Sequence, residues 1–314
     1  MKNTPNGSIR SEDPMSKVIV TTTIFPPTEA ILKFDAMPDW TLVVLGDKKT
    51  PDDFKLERGT YVSPADQESY DKPLSDAIGW NHVSRRNIGY LIAKDMGADV
   101  VAVVDDDNIP LAGWGENLMV GREVEANFYE TDLPAFDPVG ATNYPHLWHR
   151  GFPLQLLPKR DYSNRQRRAV TAQIQADFWN GDPDIDAICR MEHAPECSFD
   201  PSFFPIASNK PSPFDSQNTF IDAAVLKDYF PWTGIGRMDD IWASYYVPSL
   251  GNTVIYGAPS VYHARHAHNL VLDMRREFFG YTNNLDILKN LETLETYIPA
   301  DSMKAFELYR RHFQ

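Results

Sequence analysis

The sequence predicts a single α/β domain whose sheet is mostly parallel and carries helices on its faces. Three apolar, β-branched runs, at 18–24, 41–45 and 100–104, have the composition of buried parallel strands. A segment with helical periodicity, 75–96, precedes the third run. Strands and helices in repeated alternation favour parallel pairing through right-handed crossovers. These observations together predict an open, Rossmann-like sheet in the first third of the chain.

Turn and capping residues delimit these elements. Two prolines end the first strand, and Thr28 is the predicted N-cap of a short helix that runs through Ile31. A short, weak strand is predicted at 61–62. The apolar residues of 75–96 fall close to one face of a helix, and Gly97 is its predicted C-cap.

The composition of the chain changes beyond residue 110, where predicted strands become scarce and Pro, Trp, Tyr and Phe become common. The segments 134–160 and 195–218 are predicted to be long irregular loops, the first with short embedded strands. A helix is predicted at 241–246, a late strand at 254–256 and helical structure at 284–310.

The predicted organisation is one domain with two halves. Residues 1–16 are expected to form a flexible tail, because they are rich in Asn, Ser, Pro and Gly. The domain is expected to span 17–290, with a nucleotide-binding half at 17–110 and an acceptor half at 111–290. A helical segment at 291–314 completes the chain.

Composition and charge exclude several classes of protein. Apolar residues make up 42% of the 314 residues, which is ample for a core and excludes disorder of the whole chain. A net charge of -14 disfavours binding to nucleic acids and to anionic membrane surfaces. An anionic nucleotide can still bind if a divalent cation offsets the local charge.

The cysteines and the chain ends suggest an ordinary intracellular protein. Cys189 and Cys197 are too few to indicate a structural zinc site and are expected to be ordinary thiols. The sequence contains no apolar run of 18 residues, so no membrane span is expected. The polar N-terminus lacks the apolar core of a secretory signal, so a cytoplasmic location is expected.

The triplet Asp105-Asp106-Asp107 is the sharpest candidate site, because it follows the third predicted strand directly. Ligands of open α/β sheets bind at the carboxyl ends of the strands. Three adjacent acids repel one another unless a cation is present, and carboxylate oxygens suit Mn²⁺ or Mg²⁺ with a bound diphosphate. In an extended segment Asp105 and Asp107 share one side, whereas Asp106 points the other way, which favours a structural role for it. A solvated acidic turn is the alternative.

Four further residues flank the same predicted edge and are assigned to nucleotide-sugar binding together with Asp105 and Asp106. Arg86 precedes the third strand and can contact a diphosphate, although a solvated helix face is the alternative. Thr22 and Thr23 end the first strand, and Asp47 follows the second, where a nucleoside would lie. Polar residues at strand ends are also common without any ligand.

Asp239 and Asp240 open a predicted helix and form a second acidic site. A carboxylate at this position is suited to accept a proton from an acceptor hydroxyl, so both acids are candidate catalytic residues. A plain N-cap, which needs only one acid, is the alternative.

Three histidines follow the last predicted strand, namely His263, His266 and His268. Histidine ligates divalent transition metals, so one of them can complete the coordination of the ion held by Asp105 and Asp107, and His263 is the assigned ligand. A separate zinc site and an ordinary polar loop are the alternatives.

The long central loop contains Asn143, Trp148 and Arg150, which are assigned to substrate binding. Aromatic side chains with amide and basic neighbours fit a surface that binds sugars. An aromatic-rich loop that simply packs on the sheet fits the same residues.

Several stretches resemble the STELLO-type glycosyltransferases. They are VVDDDNIP after the third strand, RRNIGYLIAKDMGAD before it, DDIWASYY near residue 240, and RGFPLQLL, GDPDIDAICR and FDSQNTF between them. A more distant resemblance connects the chain with plant reversibly glycosylated polypeptides, which are UDP-arabinopyranose mutases. The resemblance spans about 17–270.

The resemblance implies a GT-A type fold, a nucleotide-sugar donor that is expected to be UDP-linked, a Mn²⁺ or Mg²⁺ ion and a glycan or other hydroxyl acceptor. By position, Asp105 and Asp107 match the Asp-x-Asp site, and Asp240 matches the acid before the Ile-Trp pair and ranks above Asp239 as the base. Asn218, within FDSQNTF, joins the substrate-binding residues. STELLO-type proteins commonly carry a membrane anchor and further domains, which this sequence does not show.

Three functions therefore stand at this stage. Metal-dependent glycosyl transfer is the leading one. A nucleotide-sugar mutase is the alternative enzyme, whereas a nucleotidyltransferase lacks support because TTTIFPPTEA has no Gly-rich basic loop. A carbohydrate-binding relative without activity is the alternative that is not an enzyme. The sequence leaves the donor sugar, the acceptor, the stereochemical outcome and the oligomeric state open.

Overall fold

The computed structural model of the protein describes residues 15–264 and 269–314. The predicted tail therefore lies almost wholly outside the described residues, as do His266 and His268. The described residues form one mixed α/β domain around a single sheet, as the sequence predicts. None of the helices in these two ranges is both long and apolar enough to cross a membrane.

One sheet joins the two predicted halves of the domain. Its strands in the described residues are β1 (Lys17–Thr23), β2 (Thr41–Gly46), β3 (Thr60–Val62), β4 (Val100–Val104), β5 (Asn108–Pro110), β6 (Glu123–Tyr129), β7 (Arg165–Thr171), β8 (Ile174–Gly181), β9 (Ile206–Ser208), β10 (Asn218–Asp222) and β11 (Val254–His263). The spatial order is β3-β2-β1-β4-β10-β8-β11-β9-β6-β7, and β5 pairs with β11 outside this path.

The first four strands are parallel and run in the order β3-β2-β1-β4. The predicted parallel sheet is therefore observed in the first part of the chain. The connection after β3 returns across β2 and β1, so the strand order reverses between β1 and β4. Such a reversal opens a crevice at the carboxyl ends of the two strands, where open α/β sheets bind ligands. Thr23 and Asp105 lie at this crevice, at the ends of β1 and β4.

The second part of the chain adds strands in mixed directions, and the expectation that strands become scarce beyond residue 110 is wrong. Six strands, β6 to β11, lie there, and β10 joins β4 and β8 by antiparallel pairing. These strands lack the continuous apolar runs of β1 and β4, and their burial differs from one strand to the next. In β7, for example, five successive residues, 165–169, are exposed.

Eight α-helices occur in the described residues. They are α1 (Glu29–Asp35), α2 (Pro64–Tyr70), α3 (Lys72–Ile78), α4 (Arg86–Asp95), α5 (Ala187–His193), α6 (Asp239–Ser249), α7 (Leu270–Lys289) and α8 (Ala300–Arg310). Thr28 caps α1 as predicted, because its side chain accepts the amide hydrogen of Ile31. In the C-terminal segment, the Tyr309 hydroxyl of α8 donates to the carbonyl of Leu226.

The predicted continuous helix at 75–96 is wrong, and the break positions the site. Gly79 and Asn81 have φ values of 75° and 60°, which end α3, and a 3₁₀ turn at Val83–Arg85 precedes α4. Arg86 consequently opens α4 instead of lying inside a longer helix. A Cβ on Gly89 would lie 2.5 Å from a Val20 methyl group, so glycine lets α4 approach β1 closely.

Candidate active site

The loop after β4 presents Asp105 at the crevice. The Asp105 backbone N–H donates to the Gln217 carbonyl at 3.2 Å, which extends the contact between β4 and β10. Its side chain is about one-third exposed, at 35%, and Oδ1 accepts a hydrogen bond from Arg86 at 2.8 Å. Burial raises the pKa of Asp105, and the guanidinium of Arg86 opposes that shift. Arg86 thus holds one carboxylate oxygen of Asp105, and within 15–264 and 269–314 no hydrogen bond reaches the other oxygen, Oδ2.

Arg86 is a buried cation that joins three segments. Its Nη1 donates to the carbonyl and hydroxyl oxygens of Ser216 at 2.7 and 2.6 Å, and its Nη2 reaches Thr22 Oγ1 at 3.3 Å. Burial alone would lower its pKa, but Asp105, Tyr90 and Asp240 together outweigh burial and raise it. Arg86 therefore keeps its charge at the crevice, where it offsets the nearby acids.

Asp106 holds the loop to the end of β1. The Thr23 hydroxyl donates to Asp106 Oδ2 at 2.5 Å, and the Thr28 hydroxyl donates to the Asp106 carbonyl at 2.5 Å. Burial raises the pKa of Asp106 to about 6. These contacts agree with the structural role expected for Asp106 and give Thr23 that same role.

Asp107 and His263 face each other although 156 positions separate them in the sequence. The antiparallel pairing of β5 with β11 places His263 opposite Asn108, next to Asp107. His263 Nε2 lies 3.4 Å from Asp107 Oδ2, and both side chains are largely buried. His263 Nδ1 lies 2.7 Å from the carbonyl of Asp182, and donation to that carbonyl leaves Nε2 as the atom that can bind a metal.

The residues at this edge are of the types that bind divalent cations. Asp105 and Asp107 supply carboxylate oxygens, and His263 supplies an imidazole nitrogen. Mn²⁺ binds both kinds of ligand, whereas Mg²⁺ prefers the carboxylate oxygens. The anchored Nδ1 of His263 is the second-shell contact usual for a metal-binding histidine.

Asp47 lies at the same edge but already binds the backbone. Its two oxygens accept the amide hydrogens of Lys48 and Asn81 at 2.7 and 2.6 Å, and its own N–H donates to Thr50. Asp47 is buried, at 5% exposure. These contacts fix the turn after β2 and the break before α4, so Asp47 supports the crevice; a contact with a nucleoside remains a prediction.

Asp240 forms a buried ion pair with Arg150 at the start of α6. Arg150 donates to Oδ1 and Oδ2 of Asp240 at 2.9 and 3.2 Å, and Ser216 donates from its amide and hydroxyl to Oδ2. Burial raises the pKa of Asp240, but the charge and hydrogen bonds of Arg150 and the Ser216 amide together outweigh burial, and the net pKa is lowered. A carboxylate with these four contacts is a poor proton acceptor, which argues against the expected ranking of Asp240 above Asp239.

Asp239 has a different environment one residue earlier. Its Oδ1 accepts the amide hydrogen of Asp240 at 3.0 Å, and no ion pair to it is recorded among the described residues. Burial, followed by the charge of Asp240, raises the pKa of Asp239 to about 7. A carboxylate with a pKa near neutrality is suited to general acid–base chemistry.

Arg150 also binds Asp184, and a second cluster of possible metal ligands adjoins this ion pair. Arg150 Nε and Nη2 donate to Asp184 at 2.8 Å each. His149, Asp184 and Asp215 are buried, and one possible ligand atom from each lies within 4.8 Å of the others. The Asp184 oxygens accept from Arg150, and those of Asp215 accept from Trp179 and Gln217. A cation bound by His149, Asp184 and Asp215 would have to compete with these donors.

The expected sugar-binding residues do not form one surface. Trp148 is buried and its indole N–H donates to Asp186 at 2.6 Å. Asn218 is fully buried and bonds Trp114 and Ser260. Asn143 is exposed and ties its loop to 198–200. Because the polar atoms of Trp148, Arg150 and Asn218 are paired inside the domain, these three residues shape the fold instead of a sugar-binding surface.

Ser216 is the contact that sequence reasoning missed. It accepts from Arg86 and donates to Asp240, so it connects the two acidic sites of the sequence. The stretch FDSQNTF contains Ser216, but the sequence assigned no role to this residue. A serine between two candidate charged sites was the available signal.

Comparison with known proteins identifies relatives of the chain. A scan against protein-family models finds none that matches. "Probable glycosyltransferase STELLO2" of Arabidopsis thaliana is 24% identical over 199 residues, which cover 60% of this chain and 26% of that protein. "Probable glycosyltransferase STELLO1" of the same plant is 22% identical over 199 residues, covering 60% and 25%. The chain is thus similar in sequence to the STELLO glycosyltransferases.

The expected STELLO-type resemblance is thus confirmed, and the chain spans about a quarter of the length of the STELLO proteins it matches. Among solved structures, the crystal structure of glucosyl-3-phosphoglycerate synthase from Mycobacterium tuberculosis in complex with phosphoglyceric acid is similar, with a TM-score of 0.46 and 13% identity. The match covers 87% of this chain and 80% of that one. The observed single α/β domain is the architecture expected for the GT-A type.

Proposed function

We propose that the protein is a metal-dependent glycosyltransferase that moves a sugar from a nucleotide-sugar donor, of the UDP-linked class, to a hydroxyl acceptor such as a glycan. The observation that carries the proposal is the approach of Asp107 and His263 to 3.4 Å beside Asp105. This group lies at the point where the strand order reverses, which is where open α/β sheets bind nucleotides. The relation to proteins named as probable glycosyltransferases supports the same reaction class.

In this proposal Asp107, His263 and Oδ2 of Asp105 hold a Mn²⁺ or Mg²⁺ ion. The cation supplies positive charge to the diphosphate of the donor. Arg86 holds Asp105 in place through their ion pair and adds a second positive charge near the crevice. Thr22 is half-buried at the end of β1 and bonds only weakly to Arg86, so its hydroxyl remains available to the nucleoside.

Asp239 is the proposed proton acceptor for the incoming hydroxyl in an inverting reaction. Its pKa of about 7 lets it take a proton near neutral pH, whereas Asp240 is engaged by Arg150 and Ser216. Asp240 instead positions the start of α6, on which Asp239 lies. The two acids expected to be catalytic are thereby given separate roles.

Calorimetric titration of the protein with UDP, with and without Mn²⁺, tests this proposal. We expect UDP to bind in the presence of Mn²⁺ and to bind much more weakly after chelation. Asp107→Asn should lose the metal effect, while Asp132→Asn, which makes the same charge change at an exposed acid, should keep it. Equal UDP affinity with and without metal in the unaltered protein contradicts the proposal.

A panel of UDP, GDP and CDP sugars with Mn²⁺ then identifies the donor. Release of the nucleoside diphosphate and the structure of the sugar product, read by NMR, separate transfer from mutation of the sugar ring. Recovery of a rearranged nucleotide sugar with no diphosphate released indicates a mutase instead.

A further inference from the structure

A cavity of about 290 Å³ is lined by Gln175 and Asp177 of β8 and by Gly257 of β11, and it contains none of the residues of the candidate active site. Residues from the segment 112–119 line it, and Gln175 of β8 contacts the C-terminal end of this segment, at the Asn117 carbonyl and the Met119 amide. Its volume is at the lower end of the roughly 300–1,000 Å³ usual for ligand pockets. The cavity therefore has room for a small ligand the size of a single six-membered ring with one substituent.

An irregularity in the sheet forms one wall of this cavity. Gly257 of β11 stands opposite Asp177 of β8, and Val261 stands opposite Trp179. The three residues 258–260 therefore face the single residue Phe178, which bulges β11. Pro259 within the bulge has no N–H with which to restore strand pairing. The bulge keeps the two strands apart beside Asp177.

Asp177 is a carboxylate in this wall without a recorded cationic partner among the described residues. Gln175 Nε2 donates to its Oδ1 at 2.8 Å, and the Ser260 hydroxyl also donates to it. A Cβ on Gly257 would come within 1.9 Å of Asp177 Oδ1, so glycine at 257 leaves the space that the carboxylate occupies. Two neutral donors only partly replace the hydration that a carboxylate loses on burial.

The other lining residues give the cavity a partly apolar character. Met119, Phe204, Pro205 and Pro259 contribute apolar side chains. A ligand with an apolar body and one positive charge would place its charge at Asp177 and its body against these groups. Burial raises the pKa of Asp177 to about 7, because it disfavours the ionised carboxylate. A positive charge on a bound ligand would offset this cost of burying the carboxylate.

We propose that the Asp177 cavity is a binding site for a small primary amine, with the ammonium group on the Asp177 carboxylate and an apolar body against Met119 and Phe204. The site is independent of the proposed nucleotide and metal site, since the two share no residue. It is therefore a second ligand site of the domain.

Titration calorimetry with cyclohexylamine, in buffer containing EDTA, tests this site without contribution from a divalent metal. Cyclohexanol is the neutral probe of matched shape. We expect cyclohexylamine to bind with a stoichiometry of one and cyclohexanol to bind at least about tenfold more weakly. Asp177→Asn keeps the side-chain volume and should reduce cyclohexylamine affinity at least about tenfold, whereas Asp132→Asn, at an exposed acid, should not change it.

The outcomes separate this proposal from its competitors. Equal binding of the two probes shows a site for neutral ligands and overturns the role of the charge. Unchanged affinity in Asp177→Asn, or no binding to the unaltered protein, overturns the site itself. Thermal melting of Asp177→Asn confirms that the variant is folded, and its UDP titration with Mn²⁺ should match that of the unaltered protein. If the unaltered protein does not bind UDP in the presence of Mn²⁺, that result counts against the proposed glycosyl transfer and not against the Asp177 site.

Discussion

Arg86 donates to Asp105 at 2.8 Å and to Ser216 at 2.6 Å, and Ser216 in turn donates to Asp240. A single buried guanidinium thus connects the end of β4, where the cation is proposed to bind, with the start of α6. The two acidic sites of the sequence are parts of one charged network. Its geometry depends on the break before α4, which places Arg86 at the helix start.

Replacing Arg86 should therefore disturb both stability and nucleotide binding. Arg86→Ala leaves Asp105 without its cation and Ser216 without its donor, and we expect a loss of roughly 3–5 kcal/mol in the free energy of unfolding. Arg86→Lys retains the charge but cannot reach Asp105, Ser216 and Thr22 together. Its free energy of unfolding should therefore lie between those of the unaltered protein and Arg86→Ala. Urea denaturation measures these effects, and Arg275→Ala, at an exposed arginine, is the control. Equal stability of Arg86→Ala and the control would contradict the buried network.

The cation site can be tested without any substrate. Asp107→Asn and His263→Ala each remove one proposed ligand, and each should weaken Mn²⁺ binding at least about tenfold. Asp106→Asn keeps Asp105 and Asp107 and should bind Mn²⁺ with little change, although it weakens the Thr23 contact. Electron paramagnetic resonance of free Mn²⁺ measures the affinities. A greater loss in Asp106→Asn than in Asp107→Asn would reverse the assignment of the triplet.

The sequence predicted those features that depend on neighbouring residues. The strand runs, the Thr28 cap and the position of the triplet after β4 follow from local patterns, and the structure places them as expected. The break at Gly79 and Asn81 was missed because the apolar spacing continues across it. The Arg150 contacts were missed for another reason, since Asp184 and Asp240 come from segments 34 and 90 residues away. No local pattern could show that Arg150 is buried between two acids.

Asp186 should give the protein a measurable dependence of stability on pH. It caps α5 and accepts the indole N–H of Trp148, and burial raises its pKa to about 7. A raised folded-state pKa means that the folded protein binds the proton more tightly than the unfolded chain, whose Asp pKa is about 4. Its contribution to stability is complete below about pH 4 and is lost as the pH rises through about 7.

Asp186→Asn removes this titration while keeping a capping oxygen. The difference in unfolding free energy between the unaltered protein and Asp186→Asn should change between pH 4 and 7, by up to about 1.4 kcal/mol per pH unit, and the variant should gain relative to the unaltered protein as pH rises. Urea denaturation at a series of pH values measures it. Asp200→Asn is the control, because Asp200 is an exposed cap whose pKa is lowered. A difference that is independent of pH would show that Asp186 is not a titrating group in this range.

Asp239 and Asp240 should differ in what their loss does to the protein. Asp239→Asn removes the proposed proton acceptor but no ion pair, so the fold and the affinity for UDP should change little, while turnover should fall roughly 10²–10⁴-fold. Asp240→Asn leaves Arg150 with Asp184 alone and weakens the contact to Ser216, so it should lower the free energy of unfolding by roughly 3–5 kcal/mol.

Steady-state rates over a pH series, together with urea denaturation of each variant, separate the two roles. Turnover by the unaltered protein should rise as Asp239 ionises around pH 7. Asp240→Glu can restore the pair with Arg150 and should recover part of the lost stability, whereas Asp239→Glu tests whether a carboxylate at that position restores the rise in rate. If Asp239→Asn keeps full turnover and its pH profile, and a folded Asp240→Asn loses both, then Asp240 is the base and the ranking from the sequence stands.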